Sequence, residues 1–431
     1  MPEKFKLSQR YRIVFQSPDD GYSYFFGYYD KSPLNDCNEK LLAHRVAFDG
    51  RDVCDGDVAE VGYFDLNTNK FITIDETLAW NWQQGAQLQW RPSTSYKEII
   101  YNNIRDNKFV TAIYNIETNT TSYLPFPTYS VKPNGAEALA INYERHYWCR
   151  HGYNYQNIKN SKWNKPYHEE DGIFHVNFEN GQVLKIINIK DIIDHKPLEG
   201  FSDCDHWLEH IMYNPSGTRF MFFHRWRQDS KDLSRVYIAN AENGGDLFML
   251  PDSLFYSHYD WKTDDELTIW SKVPANSSVN LFGVEKKGQK RSILRRSLGK
   301  IYPIVKHWLP HFIRSKFIIT SSLLTFKDKS PVWHRVGNHT LYGNGHQSWF
   351  KGESRLLNDT YQDSKGFRHL MTYDTENNKI HHIGAFYSQY NDCTYRCDLH
   401  PRLSPDKKLI VIDSAHKKRR KLIVIGENNV T

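Results

Sequence analysis

The stretch from Gly343 to His416 holds two copies of one pattern. Gly345-His346-Gln347-Ser348-Trp349 opens the first copy, and Asp398-Leu399-His400-Pro401-Arg402-Leu403-Ser404 opens the second. Each opener carries a histidine, passes a polar turn and enters an apolar run. In the second copy the turn is Pro405-Asp406-Lys407-Lys408 and the run is Leu409-Ile410-Val411-Ile412-Asp413. Turn residues ahead of β-branched runs signal strands and hairpins. A unit that returns about every 50 residues points to a propeller or a solenoid.

Further openers occur upstream. Gly27–Pro33 (GYYDKSP) starts a first unit, Gln87–Pro92 a second, Tyr129–Gly135 a third, His210–Gly217 a fourth and His258–Trp261 a fifth, so that His346 and His400 mark the sixth and seventh. Later strands recur inside the units, as in Val61–Leu66 before an Asn-Thr-Asn turn and in His369–Asp374. Four strands per unit and seven units predict an all-β fold, a seven-bladed β-propeller. A single blade cannot bury both of its faces, whereas a closed ring of blades can. The strand Arg10–Phe15 is expected to complete the last blade and close the ring. Aromatic residues make up 15% of the chain, which favours strands. Residues 1–431 are thus expected to form a single propeller domain with two inserts outside the ring.

The first insert, 143–171, is rich in Tyr, Trp, His and Asn and reads as an aromatic loop. The second, 284–336, contains ten Lys/Arg and no acid between Lys286 and Lys316, with apolar residues at helical spacing and Trp308 among them. A basic amphipathic segment of this kind reads as a binder of an anionic membrane surface, or as a helix packed on the propeller's side, with Pro303 and Pro310 splitting it. The chain lacks the aromatic–basic interleaving of nucleic-acid modules, so no nucleic-acid partner is expected. The net charge of +6 allows an anionic partner without requiring one. No apolar leader and no run of 18 apolar residues is visible, so the expectation is a cytoplasmic monomer, peripheral at the inner membrane if the basic insert docks there. The six cysteines read as free thiols, the Cys393/Cys397 spacing being a weak zinc signal.

Opener residues flank the innermost strand of each blade and so surround the axial channel. His210, His258, His346 and His400 come from four different blades and converge there. Tyr29 and Gln89 hold similar places in the first two blades, and Arg225 follows a blade-four strand toward the same rim. The competing reading is that such histidines bond neighbouring blades, as expected of His44 and His224. Asp359 and Asp413 read as carboxylates that bond turn backbones.

These motifs together resemble the oligogalacturonate-lyase-like seven-bladed propellers, a group of polysaccharide-lyase-type proteins. The resemblance is carried by Gly27–Pro33, His224-Arg225-Trp226, Ser257–Trp261, Gly345–Trp349, Asp359–Asp363 and Arg396–Arg402 (RCDLHPR). It implies β-elimination at a uronic-acid residue: cations offset the carboxylate, a neutral base takes the C5 proton, and the C4 oxygen departs. It implies a divalent metal, Mn²⁺ or similar, at His346 and His400, with Asp398 where the pattern tends to have another His. His258 or His210 is then the proton acceptor, Arg225 clamps the acid group, Tyr29 completes the catalytic set, and Gln89, Arg396 and Arg402 bind substrate. The expected activity is that of a carbon–oxygen lyase on an acidic oligo- or polysaccharide. The alternatives are a non-catalytic propeller that binds a glycan or protein in surface-polysaccharide biosynthesis at the inner membrane face, and glycosyl transfer, against which the lack of a Gly-rich nucleotide loop counts.

Overall fold

One local device sets the rhythm of the chain. In five hairpins an Asp or Asn closes the outer strand pair by accepting one or two hydrogen bonds from the backbone N–H groups two and three residues after it. Asp65, Asn115, Asn177, Asn240 and Asp374 all do this. Four residues later in each hairpin stands a residue in the left-handed region: Asn69, Asn119, Gly181, Gly244 and Asn378. Asn and Gly are the residues that tolerate that conformation. These turns join the third and fourth strands of five blades.

The structure, a computed structural model, describes residues 4–274, 319–337, 341, 343–391 and 393–428. Its strands form seven antiparallel sheets, the blades of a seven-bladed propeller. In chain order the innermost strands are Ser23–Phe25, Gln89–Trp90, Ser130–Val131, Asp205–Tyr213, Tyr256–Trp261, Gln347–Trp349 and Arg402–Leu403. The inward run of apolar side chains on each sheet packs against the next blade. Phe15, Val411, Leu422 and Val424 of the last blade share one core with Tyr24, Phe25, Leu41 and Leu42 of the first. Ring closure is by Tyr11–Gln16, which pairs with Lys421–Glu427, and Phe5–Leu7 adds a fifth strand to blade six beside Lys379–Tyr387. Deletion of residues 1–16 is expected to abolish cooperative unfolding. It removes the buried aromatics Tyr11 and Phe15, together about 4 kcal/mol, and bares an edge on the last blade. Calorimetry of the truncated chain checks this; a sharp transition at the parent temperature would show the ring does not need the closing strand.

Three expectations need correction. Gly27–Pro33 is not the inner strand of blade one, which is Ser23–Phe25; it is the loop that follows and it crosses the axis. Gly27 is obligatory there, since at φ +128° a Cβ would lie 2.7 Å from the Gln84 carbonyl carbon. Residues 143–171 stand between the second and third strands of blade three, Glu137–Ile141 and Gly172–Asn177, and include the helix Tyr143–Cys149. Within 284–336, Ile319–Lys327 and Trp333–Arg335 are the outer strands of blade five. The Lys286–Lys316 segment lies outside the described residues. Among the described residues no helix is long and apolar enough to cross a membrane. All six cysteines are unpaired.

Candidate metal and ligand site in the axial channel

Irregularities of the inner strands aim the channel histidines. In blade four the register shifts between Glu209 and Met212, and His210 takes φ +56°. In blade five it shifts between Tyr256 and Tyr259, around His258. His400 takes φ +43° just ahead of its strand. Bulges re-aim side chains, and left-handed non-glycine residues cluster at functional sites.

His346, Asp398 and His400 meet in the channel, all three buried, with one potential ligand atom each and these atoms within 4.8 Å of one another. Asp359 organises them. Its carboxylate accepts from His346 Nδ1 at 3.0 Å, from the His346 backbone N–H at 2.7 Å and from the His400 backbone N–H at 3.2 Å. His400 Nδ1 lies 2.6 Å from the Gly27 carbonyl. A carbonyl or carboxylate only accepts, so in both rings Nδ1 carries a proton and Nε2 is the atom left to meet a ligand. Both Nε2 atoms and Asp398 Oδ1 are buried, with no hydrogen-bond partner among the described residues. Arg368 Nη1 does approach that oxygen to 2.6 Å, but as an ion contact rather than an aligned hydrogen bond. Arg396 Nε donates to Asp398 Oδ2 at 2.8 Å. Burial alone would raise the Asp398 carboxyl, and these two guanidinia instead hold it well below the usual carboxylate range. Burial and the neighbouring His346 hold His400 well below the ordinary histidine value. Two imidazoles held at Nδ1, each with an Nε2 that has no hydrogen-bond partner among the described residues, converge with one ionised carboxylate in a set that fits a divalent metal ion.

The remaining predicted residues fall into two groups. His258 belongs to the centre: its ring lies 4.0 Å from that of His346. Its Nδ1 faces Asn344 Oδ1 at 3.2 Å and its Nε2 faces the Tyr361 hydroxyl at 3.4 Å. Burial and then His346 keep it neutral. Arg396 belongs too; beyond its Asp398 bond it donates from Nη2 to the Tyr153 hydroxyl at 3.1 Å. His210 stacks on Tyr28 and has both ring nitrogens engaged, Nδ1 with the Tyr129 hydroxyl at 3.0 Å and Nε2 near Glu209 Oε1 at 3.4 Å. Arg225 sits against Glu209.

Tyr29, Gln89 and Arg402 are placed otherwise than expected. The Tyr29 hydroxyl donates to the Tyr259 carbonyl and accepts from the Tyr259 N–H, both at 2.8 Å, so it is a strut across the axis from blade one to blade five. Arg402 is fully buried and tied to Tyr28 O, Gly27 O and Asp413. Gln89 bonds Gln87 O and lines a separate cavity with Asp30, Lys31, Asp260 and Lys351, none of them in the metal group.

Asp359 and Arg368 were not among the expected site residues. Arg368 was within reach of sequence reading, because in Phe367–Asp374 it holds an inward position beside Leu370.

No protein-family model matches the chain, and no curated protein does. Among solved structures, an oligogalacturonate lyase in complex with manganese aligns over 100% of this chain and 97% of its own, at 15% identity and a TM-score of 0.62. The oligogalacturonate lyase of Vibrio parahaemolyticus aligns over 99% and 97%, at 12% identity and a TM-score of 0.61. Over its whole length this chain has the oligogalacturonate-lyase-like seven-bladed propeller fold.

Proposed function

We propose that this protein is a metal-dependent lyase that cleaves a uronic-acid-containing saccharide by β-elimination. The observation that carries the reading is the pair of pinned histidines, His346 and His400, whose unpartnered Nε2 atoms meet Asp398 beside the neutral His258. The likeness to two oligogalacturonate lyases, one with manganese, supports it. His346, His400 and Asp398 would hold a divalent cation, Mn²⁺ by this reading, which would supply positive charge beside the substrate carboxylate and so acidify the C5 proton. Arg396 adds to that charge through Nη1, which has no partner among the described residues. His258 Nε2 takes the C5 proton. The C5–H electron pair becomes the C4=C5 double bond, the C4–O bond breaks, and the departing oxygen takes a proton from water. His258 fits the role better than His210, because its ring lies 4.0 Å from that of His346, whereas His210 is bound at Nδ1 by the Tyr129 hydroxyl and faces Glu209 with Nε2.

The test is ultraviolet absorbance of unsaturated uronate, over a panel of acidic oligosaccharides with Mn²⁺ present. His258→Ala is expected to lower turnover by roughly 10²–10⁴ and to leave Mn²⁺ affinity unchanged. Saccharide binding without any unsaturated product would make the protein a binding propeller instead.

A further inference from the structure

Glu209 lies on the inner strand of blade four, 1% exposed. Arg150 Nε donates to its Oε2 at 2.7 Å, Trp207 Nε1 donates to the same oxygen at 3.1 Å, and Arg225 Nε sits against Oε1. Both guanidinia thus grip the carboxylate by one edge. Their outer Nη groups have no hydrogen-bond partner among the described residues, and the Arg150 and Arg225 side chains are 19% and 14% exposed. The balance is one positive charge in excess. The arginines hold Glu209 well below the carboxylate range against its burial, His210 is pushed down to about 3 by burial and stays neutral, and nearby Asp232 is taken by Arg227 at 2.9 Å. A mostly buried, unbalanced charge is unfavourable unless an anion meets it. Two guanidinium forks side by side suit an oxyanion.

The fork is joined to the metal group by one residue. Arg150 stacks on the Tyr153 ring at 4.3 Å, and the Tyr153 hydroxyl accepts from Arg396, the partner of Asp398. The two positive centres are therefore about one tyrosine ring apart. Arg150 and Tyr153 both come from residues 143–171, the segment between the second and third strands of blade three.

We propose that Arg150 and Arg225 form a second oxyanion subsite, which holds an acidic group on the sugar next to the one at the metal group. This rests on the site being a saccharide site, as argued above, and adds that the ligand carries acidic groups on adjacent residues. A carboxylate or a sulfate ester meets the same donors.

Calorimetric titration tests it in the full-length His258→Ala protein with Mn²⁺, where turnover is too slow to deplete the ligand during a titration. The probes are galacturonate, digalacturonate, digalacturonate methyl-esterified on one residue, and a disaccharide with one uronate and one sulfated residue. The diacid is expected to bind at least 10-fold more tightly than the monoacid, and the monoester to bind like the monoacid. Arg150→Gln should remove that advantage and leave galacturonate affinity unchanged. Tighter binding of the sulfated probe would assign the fork to sulfate, and of the diacid to carboxylate. Equal affinity of the unsubstituted protein for diacid and monoester overturns the subsite, even if Arg150→Gln does not fold. Equal weakening of both ligands by Arg150→Gln, or of neither, also overturns it. If no probe binds, the saccharide reading of the whole site falls with it.

Discussion

Alanine in place of His400 or His346 is expected to abolish Mn²⁺ binding measurable by calorimetry while leaving the thermal transition within a few degrees of the parent. Each imidazole supplies one of three converging donors, and its Nε2 has no hydrogen-bond partner among the described residues. The fold loses little, because truncation to alanine itself leaves room for a water to replace Nδ1–H at Gly27 O or at the Asp359 carboxylate. Asp359→Asn should act differently. It keeps the size of the side chain but weakens the acceptor behind His346 Nδ1 and both backbone N–H groups. Loss of such an orienting partner lowers metal affinity by about 10–100-fold rather than abolishing it. A graded series, with both alanine variants below Asp359→Asn and that below the parent, is the signature of a ligand pair held by one carboxylate. Unchanged Mn²⁺ binding in His400→Ala would show that the histidines meet for another reason.

The second large effect is acid lability. Seven histidines are held neutral by burial: His44 and His210 pushed down to about 3, His206 and His416 to about 4, and His224, His258 and His400 well below the ordinary value. Such a base contributes its full stability above about pH 6.5, the unfolded value, and loses it as the pH falls, because the unfolded chain takes up a proton that the native chain refuses. One pH unit below that value each accounts for about 1.4 kcal/mol, and the seven together for about 10 kcal/mol, comparable with the entire stability of an ordinary domain. Asp171 opposes them. Burial raises its carboxyl to about 7, so it stabilises the native state as the pH falls from 7 toward its unfolded value, and it offsets about one histidine. Thermal unfolding in the presence of chelator should therefore show a midpoint that falls steeply between pH 7 and pH 5. A midpoint flat across that interval would mean these rings are protonated in the folded protein.

Much of the fold was legible because it repeats. The hairpin turns at Asp65, Asn115, Asn177, Asn240 and Asp374 each carry their own stop signal in a few residues, so the period shows without reference to the rest of the chain. Ile319–Lys327 was harder to see. It follows a long basic stretch with apolar residues of its own, and only pairing with Glu266–Pro274 gives it a face. The openers placed His346, His400 and His258 near the axis, since repeat position alone decides that. What repeat position does not decide is where a side chain's polar atoms go. Tyr28 and Tyr29 are neighbours in one motif, yet Tyr29 spends its hydroxyl on Tyr259, two hundred and more residues away, while Tyr28 lies against His210 and His400. Asp359 looks like a turn carboxylate until His400, 41 residues later, is brought back to it.

The closing strand has a consequence for how the protein comes into being. Tyr11–Gln16 is made early, and its partner Lys421–Glu427 is made late. Through the synthesis of every blade between them, the early strand has no partner to pair with. His346, Asp398 and His400 belong to the last two blades, and Gly27, which fixes His400, to the first. A nascent chain that has not yet reached Lys421–Glu427 therefore lacks the closed ring. The last blade must be made before the channel exists, so a message truncated within any blade yields only an open row of blades for the cell's chaperones and proteases to clear.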